Sequence, residues 1–268
     1  MEALLGFAGL QDLVFQTLQL GALSMARPFG LTFAFIAFAW GRLTTGVLRT
    51  AFALAIALPV VAPWFGRADD ALVLLEGPIL LFLAKELFIG GLIGFVASIP
   101  FAVVMGAGNI IDTYRGGFIG SADPTGAQST VLEQAFVIVA LWLFAALNGF
   151  WIVTDLVYTS YGVWPMFEAL PALSREGLLA FVELLKSLIV GAFVLSAPLL
   201  FLMMLSDFVF LVSAKLGKQI NVTHLIFSTK NLIMIIALPI FAIVYIRVIT
   251  GDLQAVSGLL TIVEGALR

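Results

Sequence analysis

Cysteine is absent from the 268 residues, histidine occurs once, and only 11% of the chain is charged. Without cysteine there is no disulfide, thiolate zinc site, iron–sulfur cluster or cysteine nucleophile. The single histidine, His224, excludes a multi-histidine metal site. It also leaves a Ser–His hydrolase only one base, set in a Lys-rich connection. A basic excess is missing too: 13 Lys and Arg stand against 16 Asp and Glu, a net charge of -3. Nucleic-acid binding normally needs a basic face, so no such partner is expected. Charge is also too scarce to clothe a water-soluble globule, whose residues are roughly 25% charged. The residue set calls for no cofactor and no metal, and enzymes are the least favoured function class.

What is present is apolar: 62% of residues are hydrophobic and the mean hydropathy is +1.15. That balance reads as a polytopic, all-α membrane protein. The opening MEALLGFAGLQDLVFQTLQL carries Glu2 and Asp12 and no basic region, so it does not read as a secretory signal. Charges punctuate apolar blocks at 10–41, 43–65, 79–105, 135–153, 178–212 and 231–249. The charge-free block 135–153 has about the length of one bilayer span. The Gly-rich polar stretch 106–130 reads as the longest break in the first half.

Residues 79–99 hold about 13 large apolar side chains, interrupted by Lys85 and Glu86. Their insertion is favoured by roughly 4–8 kcal/mol, and two mid-depth charges oppose it by roughly 5–7 kcal/mol. A sum near zero means protein, rather than lipid, surrounds much of this helix. Lys85 and Glu86 are adjacent, hence on different sides of a helix, each expected to find its own partner. Arg27 (before Pro28) and Asp207 interrupt other blocks, and intramembrane charges usually face a bundle interior or a water path. Asp207 reads as a buried polar partner in a subunit contact, with proton carriage as the alternative. These features together suggest helices built for an oligomer.

The segment KLGKQINVTHLIFSTK (215–230) has three Lys and no acid, which places this hairpin tip in the cytoplasm. Arg42 and Arg49 suggest the same side for their turn, and Asp69, Asp70 and Glu76 the opposite one. Lys215, Lys218, Gln219, Asn221 and Lys230 are candidate partner contacts, with topology-setting charge as the alternative for the lysines. His224 reads as a polar turn residue. Met203-Met204 fits core packing or a methionine seal.

The central run GAGNIIDTYRGGFIGSADPTGAQSTVLEQ (106–134) carries the most information. Asp112 and Arg115 are three apart and can pair on a helix. Gly116 and Gly117 then release the backbone, and Pro124 biases Asp123 away from helix. A new helix is expected near Ser129-Thr130, with Thr130 and Glu133 spaced for a capping box. Non-helical backbone at membrane depth survives only inside protein or beside a water-filled cavity. On these residues alone, a pore-lining loop and an ordinary aqueous loop both stand.

The run IIDTYRGGFIGSADPTG, followed by ALNGFWIVTDLVYTSYGVWP, resembles the T component of the type III secretion export apparatus. That family includes the flagellar FliR and the injectisome SctT (YscT, SpaR, HrcT) proteins. The resemblance rests on Asp112, Arg115 and Gly116 as Asp-x-x-Arg-Gly, on Asp123-Pro124, on Asn148-Gly149 and on Ser160-Tyr161 before Pro165. The Asp-x-x-Arg-Gly form is more similar to injectisome members. Residues 196–241 also resemble the hairpin of the small Q subunit.

The resemblance implies residues 1–180 as a P/R-subunit-like part and 181–268 as a Q-like hairpin with a tail. One such chain would join R and Q subunits in a helical, hetero-oligomeric inner-membrane gate for unfolded secreted proteins, contacting a U-type switch protein and membrane lipid. It further implies a pore plug made of Gly116, Gly117, Phe118, Ile119, Gly120, Ser121, Ala122, Asp123 and Pro124, with Asp112 and Arg115 holding its base. A small-solute transporter is the rival from another class; such folds show paired broken helices, and no second break matches 106–130.

Overall fold

The computed structural model describes residues 2–39, 46–64, 78–117, 121–122, 128–168, 175–216 and 222–267. Expectations on Arg42, Asp69, Asp70, Glu76, Phe118, Ile119, Gly120, Asp123, Pro124, Lys218, Gln219 and Asn221 lie outside the described residues. An apolar chain satisfies its backbone most simply as helix, because lipid offers no hydrogen bonds. The elements are α1 (Glu2–Ala34), α2 (Ile36–Ala39), α3 (Gly46–Val61) with a 3-10 turn (Ala62–Trp64), α4 (Ile79–Arg115), α5 (Val131–Ala146), α6 (Gly149–Val163), α7 (Arg175–Leu216) and α8 (Val222–Leu267). Between α4 and α5, β1 (Ser121–Ala122) pairs antiparallel with β2 (Gln128–Ser129). The protein is thus an all-α, multi-pass membrane chain with one two-rung ladder among the described residues. Among the described residues, four helical stretches are long and apolar enough to cross a membrane: Gly46–Trp64, Ile79–Arg115, Phe181–Lys215 and Leu225–Ile243. A fifth results if α5 and α6 form one broken span.

Two boundaries differ from the sequence expectation. The stretch 106–130 does not break at its start, since α4 continues to Arg115. Gly106 and Gly108 are packing residues rather than turn residues. A Cβ on Gly108 would stand 2.6 Å from the Glu133 backbone nitrogen, and one on Gly106 3.0 Å from the Ala192 methyl. Conversely, the charge-free block 135–153 is not one continuous helix. Asn148 adopts φ 56, the left-handed conformation that ends helices. Gly149 then passes where a Cβ would collide with the Phe144 ring.

The chain forms two compact units. The first comprises Met1–Ser98, Phe150–Ala180 and Ser257–Arg268; the second comprises Ile99–Gly149 and Phe181–Val256. In the first, Leu20, Leu23, Val61, Phe82 and Met166 make an apolar cluster, flanked by Trp64, Leu83, Tyr161 and Phe167. Its α1 and α4 backbones touch: a Cβ on Gly90 would fall on the Arg27 carbonyl and one on Gly30 on the Leu87 carbonyl. Small residues permit such approach between apolar helices, where dispersion rather than water release holds them together. The Ser98 hydroxyl accepts the Ile36 N–H at 2.8 Å, bridging the break at Phe35 between α1 and α2.

In the second unit Phe101 and Phe144 meet edge-on at 5.4 Å, and Gly191 admits Val103 against α7. Met203 is fully buried, whereas Met204 is exposed. Burial differs sharply between candidate spans: 67% of the window in Ile79–Arg115 is covered by the chain itself, against 28% in Phe181–Lys215 and 11% in Leu225–Ile243. The long apolar faces of α7 and α8 therefore meet lipid or other chains.

Candidate functional site

The site is the base of the loop between α4 and α5. Helix α4 ends because Gly116 takes φ 80, a conformation that L side chains resist. The Gly116 N–H then reaches the Thr113 carbonyl at 3.2 Å and the Gly117 N–H the Asp112 carbonyl at 2.9 Å. This pair of bonds is the Schellman ending, which satisfies otherwise orphaned helix carbonyls. A Cβ on Gly116 would also lie 2.5 Å from the exposed Phe227 ring, which would have to shift.

Asp112 is fully buried and uses both carboxylate oxygens. One accepts the Arg115 Nε–H at 2.6 Å. The other accepts the Leu132 backbone N–H at 2.7 Å, in the first turn of α5. A carboxylate there satisfies an orphaned amide and complements the positive end of the helix. The same side chain therefore fastens both ends of the loop. Charge-assisted bonds of this kind contribute about 1.5–3 kcal/mol each.

The start of α5 forms as its sequence predicts. Thr130 is the N-cap, and a reciprocal capping box with Glu133 is present. Glu133 also accepts from the Asn109 amide at 3.1 Å, tying α4 to α5 a second time.

Helices α7 and α8 complete the base. The second arm of Arg115 donates to the Asn231 side-chain oxygen at 2.9 Å. The Tyr114 hydroxyl donates to Asp207 at 2.7 Å. Lys230 pairs with the same Asp207 oxygen at 2.9 Å, lies 4.2 Å from the centre of the Tyr114 ring and donates to the Tyr114 carbonyl at 3.3 Å. Asp207 thus has two partners inside its own chain. Lys230 belongs to α8, is buried and is committed to Asp207, so it is not part of an exposed tip. The reason is that α8 begins at Val222 and carries Lys230 back toward α4. Lys215, by contrast, is exposed at the end of α7.

The first unit holds a second charged cluster, apart from the loop. Arg27 grips Glu86 through two bonds, of 2.7 and 3.0 Å, and both side chains are fully buried. Its remaining donors reach the Ser160 hydroxyl at 2.9 Å and the Trp164 carbonyl at 2.7 Å. Lys85 donates to the carbonyls of Pro165, Met166 and Glu168 at 3.0, 3.0 and 2.8 Å. Contrary to the neighbour rule, Lys85 also lies 3.0 Å from Glu86, because its long stem curls around the helix toward the same turn. The two cations thus cap the carbonyls released where α6 ends, and the Tyr161 ring lies 3.9 Å beneath the Arg27 guanidinium. The interruptions at Arg27, Lys85 and Glu86, which suggest an oligomer in the sequence, find partners within the chain.

Sequence reasoning placed Asp112, Arg115, Thr130 and Glu133 correctly because their partners lie three residues away. It missed Tyr114, Phe227 and Asn231, which come from distant segments; Tyr114 and Asn231 stand beside charged residues in sequence, whereas Phe227 carries no such signal. Of the nine plug candidates, Gly116 and Gly117 close α4, and Ser121 and Ala122 form β1.

Comparison with known proteins gives a consistent picture. A family model described as bacterial export proteins, family 1, matches residues 18–256. The Yop proteins translocation protein T of Yersinia pestis is 30% identical over 165 residues, 61% of this chain and 63% of that protein. The surface presentation of antigens protein SpaR of Shigella flexneri is 28% identical over 153 residues, 56% of this chain and 58% of its own. The flagellar biosynthetic protein FliR of Bacillus subtilis is 26% identical over 186 residues, 67% and 72% of the two chains. The matches thus span under two thirds of the Yersinia and Shigella proteins.

Proposed function

We propose that this chain, which belongs to the bacterial export proteins, family 1, is a core subunit of a type III secretion export gate in the inner membrane. In this reading it joins R- and Q-type subunits around a channel for unfolded secreted proteins, and its residues 116–124 plug that channel. Residues 1–180 supply the P/R-like part and 181–268 the Q-like hairpin. Lys215, Lys218, Gln219 and Asn221 are the proposed contacts to a U-type switch protein; Lys230 is withdrawn from that set.

The observation that carries the reading is the double use of Asp112. A loop whose two feet share one buried carboxylate is held at a fixed place while its arc stays chemically simple. That arc is made of small residues with Phe118 and Ile119 between them. Two apolar side chains in a narrow passage exclude ions by dewetting, and small neighbours allow the arc to be displaced. No covalent step is involved. A flagellar gate is the second reading, supported by the likeness to the Bacillus flagellar protein.

The test is deletion of residues 116–122 in the complex assembled with its R- and Q-type partners and reconstituted into liposomes. The expected result is a leak of ions or small solutes through a complex of normal composition. An equally tight deletion complex overturns the plug.

A further inference from the structure

We infer that the start of α8 is a releasable catch on the loop base, with Phe227, Lys230 and Asn231 as its positioning residues. The inference rests on the plug reading and adds to it how the loop is held closed.

These three residues are spaced i, i+3 and i+4, so they share one face of α8. All three meet the last turn of α4. The Phe227 ring fills the space that a Gly116 Cβ would need. Lys230 sits on the Tyr114 ring and pairs with Asp207. Asn231 accepts from Arg115, whose other arm holds Asp112. The carboxylate that fastens the loop is thereby connected to α8 through a single guanidinium.

The window Leu225–Ile243, which contains these three residues, is only 11% buried, and further along α8 Ala237 and Tyr245 are buried as well. Its hold on α4 is therefore a local patch, and a polar one. The patch is also incompletely satisfied: the second oxygen of Asp207 is buried and has no hydrogen-bond partner. An unpaired acceptor at low dielectric weakens the closed arrangement relative to a saturated one. The Arg27–Glu86 cluster offers the contrast, since both Glu86 oxygens and the three guanidinium nitrogens of Arg27 are engaged. One polar cluster is thus saturated, while the other retains an unpaired acceptor. When the start of α8 withdraws, Gly116 loses its ring contact and Arg115 loses Asn231. The loop base is then left on the two α4–α5 ties made by Asp112 and Glu133.

The experiment compares leak through assembled complexes carrying Lys230→Met, Asn231→Ala, Lys230→Arg, the 116–122 deletion, and Lys230→Met combined with the deletion. Lys230→Met should raise ion leak about tenfold, within the range over which one site commonly shifts another's equilibrium. Lys230→Arg should restore tightness, and the combined variant should leak no more than the deletion alone. Asn231 is exposed, so Asn231→Ala leaves folding undisturbed and should also leak above the parent. If Lys230→Met fails to assemble, Asn231→Ala decides the matter. A deletion that leaks beside a tight Asn231→Ala complex overturns the catch and leaves the plug standing. A tight deletion complex overturns both.

Discussion

At the scale of single residues, Gly116 illustrates how little freedom the loop base has. Its left-handed backbone resists a side chain, and the Phe227 ring would have to move aside for one. Left-handed backbone costs an L residue about 1–2 kcal/mol, and the ring contact adds to it. Gly116→Ala should therefore lower the thermal stability of the detergent-solubilised complex clearly. Gly162→Ala should leave it unchanged or raise it slightly, because a Cβ there meets nothing within 4 Å and helical alanine is favoured over glycine. Equal midpoints for the two variants would show that Gly116 is under no such constraint. At this scale the sequence was a good guide wherever the partner was local. The Asp112–Arg115 pair and the Thr130–Glu133 box follow from spacing alone. The Leu132 amide and Asn231 could not be foreseen, since only folding brings them to Asp112 and Arg115.

At the scale of elements, buried charge governs the architecture. Glu86 pairs with two cations, Arg27 and Lys85, that themselves cap four carbonyls between Trp164 and Glu168. Removing one member of a buried ion cluster costs about 3–5 kcal/mol because the others are left uncompensated. Glu86→Ala should therefore abolish or strongly reduce accumulation of the chain in membranes. Lys186→Ala, which breaks an exposed pair with Glu183, should have no measurable effect on the amount recovered. Comparable losses in both would contradict this account. Helix content and the charge interruptions were legible from hydropathy. Element ends were less so, because Gly106 and Gly108 look the same in sequence whether they turn the chain or admit a neighbour. The break at Asn148 was hidden for a related reason: the surrounding residues are uniformly apolar, and only the Asn-Gly pair marks it.

For the whole molecule, the deciding quantity is apolar surface that the chain does not cover for itself. Phe193, Val194, Phe201, Phe208 and Leu211 on α7, and Ile235, Ile240 and Ile243 on α8, are more than half exposed. Apolar faces of this extent mark lipid or partner contact. Expressed with R- and Q-type partners, the chain should elute as one large complex, and its unfolding midpoint should exceed that of the chain purified by itself. A solitary, monodisperse and equally stable chain would argue against assembly. The charges that suggest association in the sequence find partners within the chain, and these bare helix faces are left for lipid or other chains.

The Arg27 cluster has a further consequence for biogenesis. Glu86 lies 59 residues downstream of Arg27, and the Trp164 carbonyl 137 residues downstream. As the ribosome extends the chain, the guanidinium emerges long before anything can neutralise it. The buried arrangement around Arg27 can therefore form only once α4 has been made, and its hydrogen bonding is complete only when the end of α6 follows.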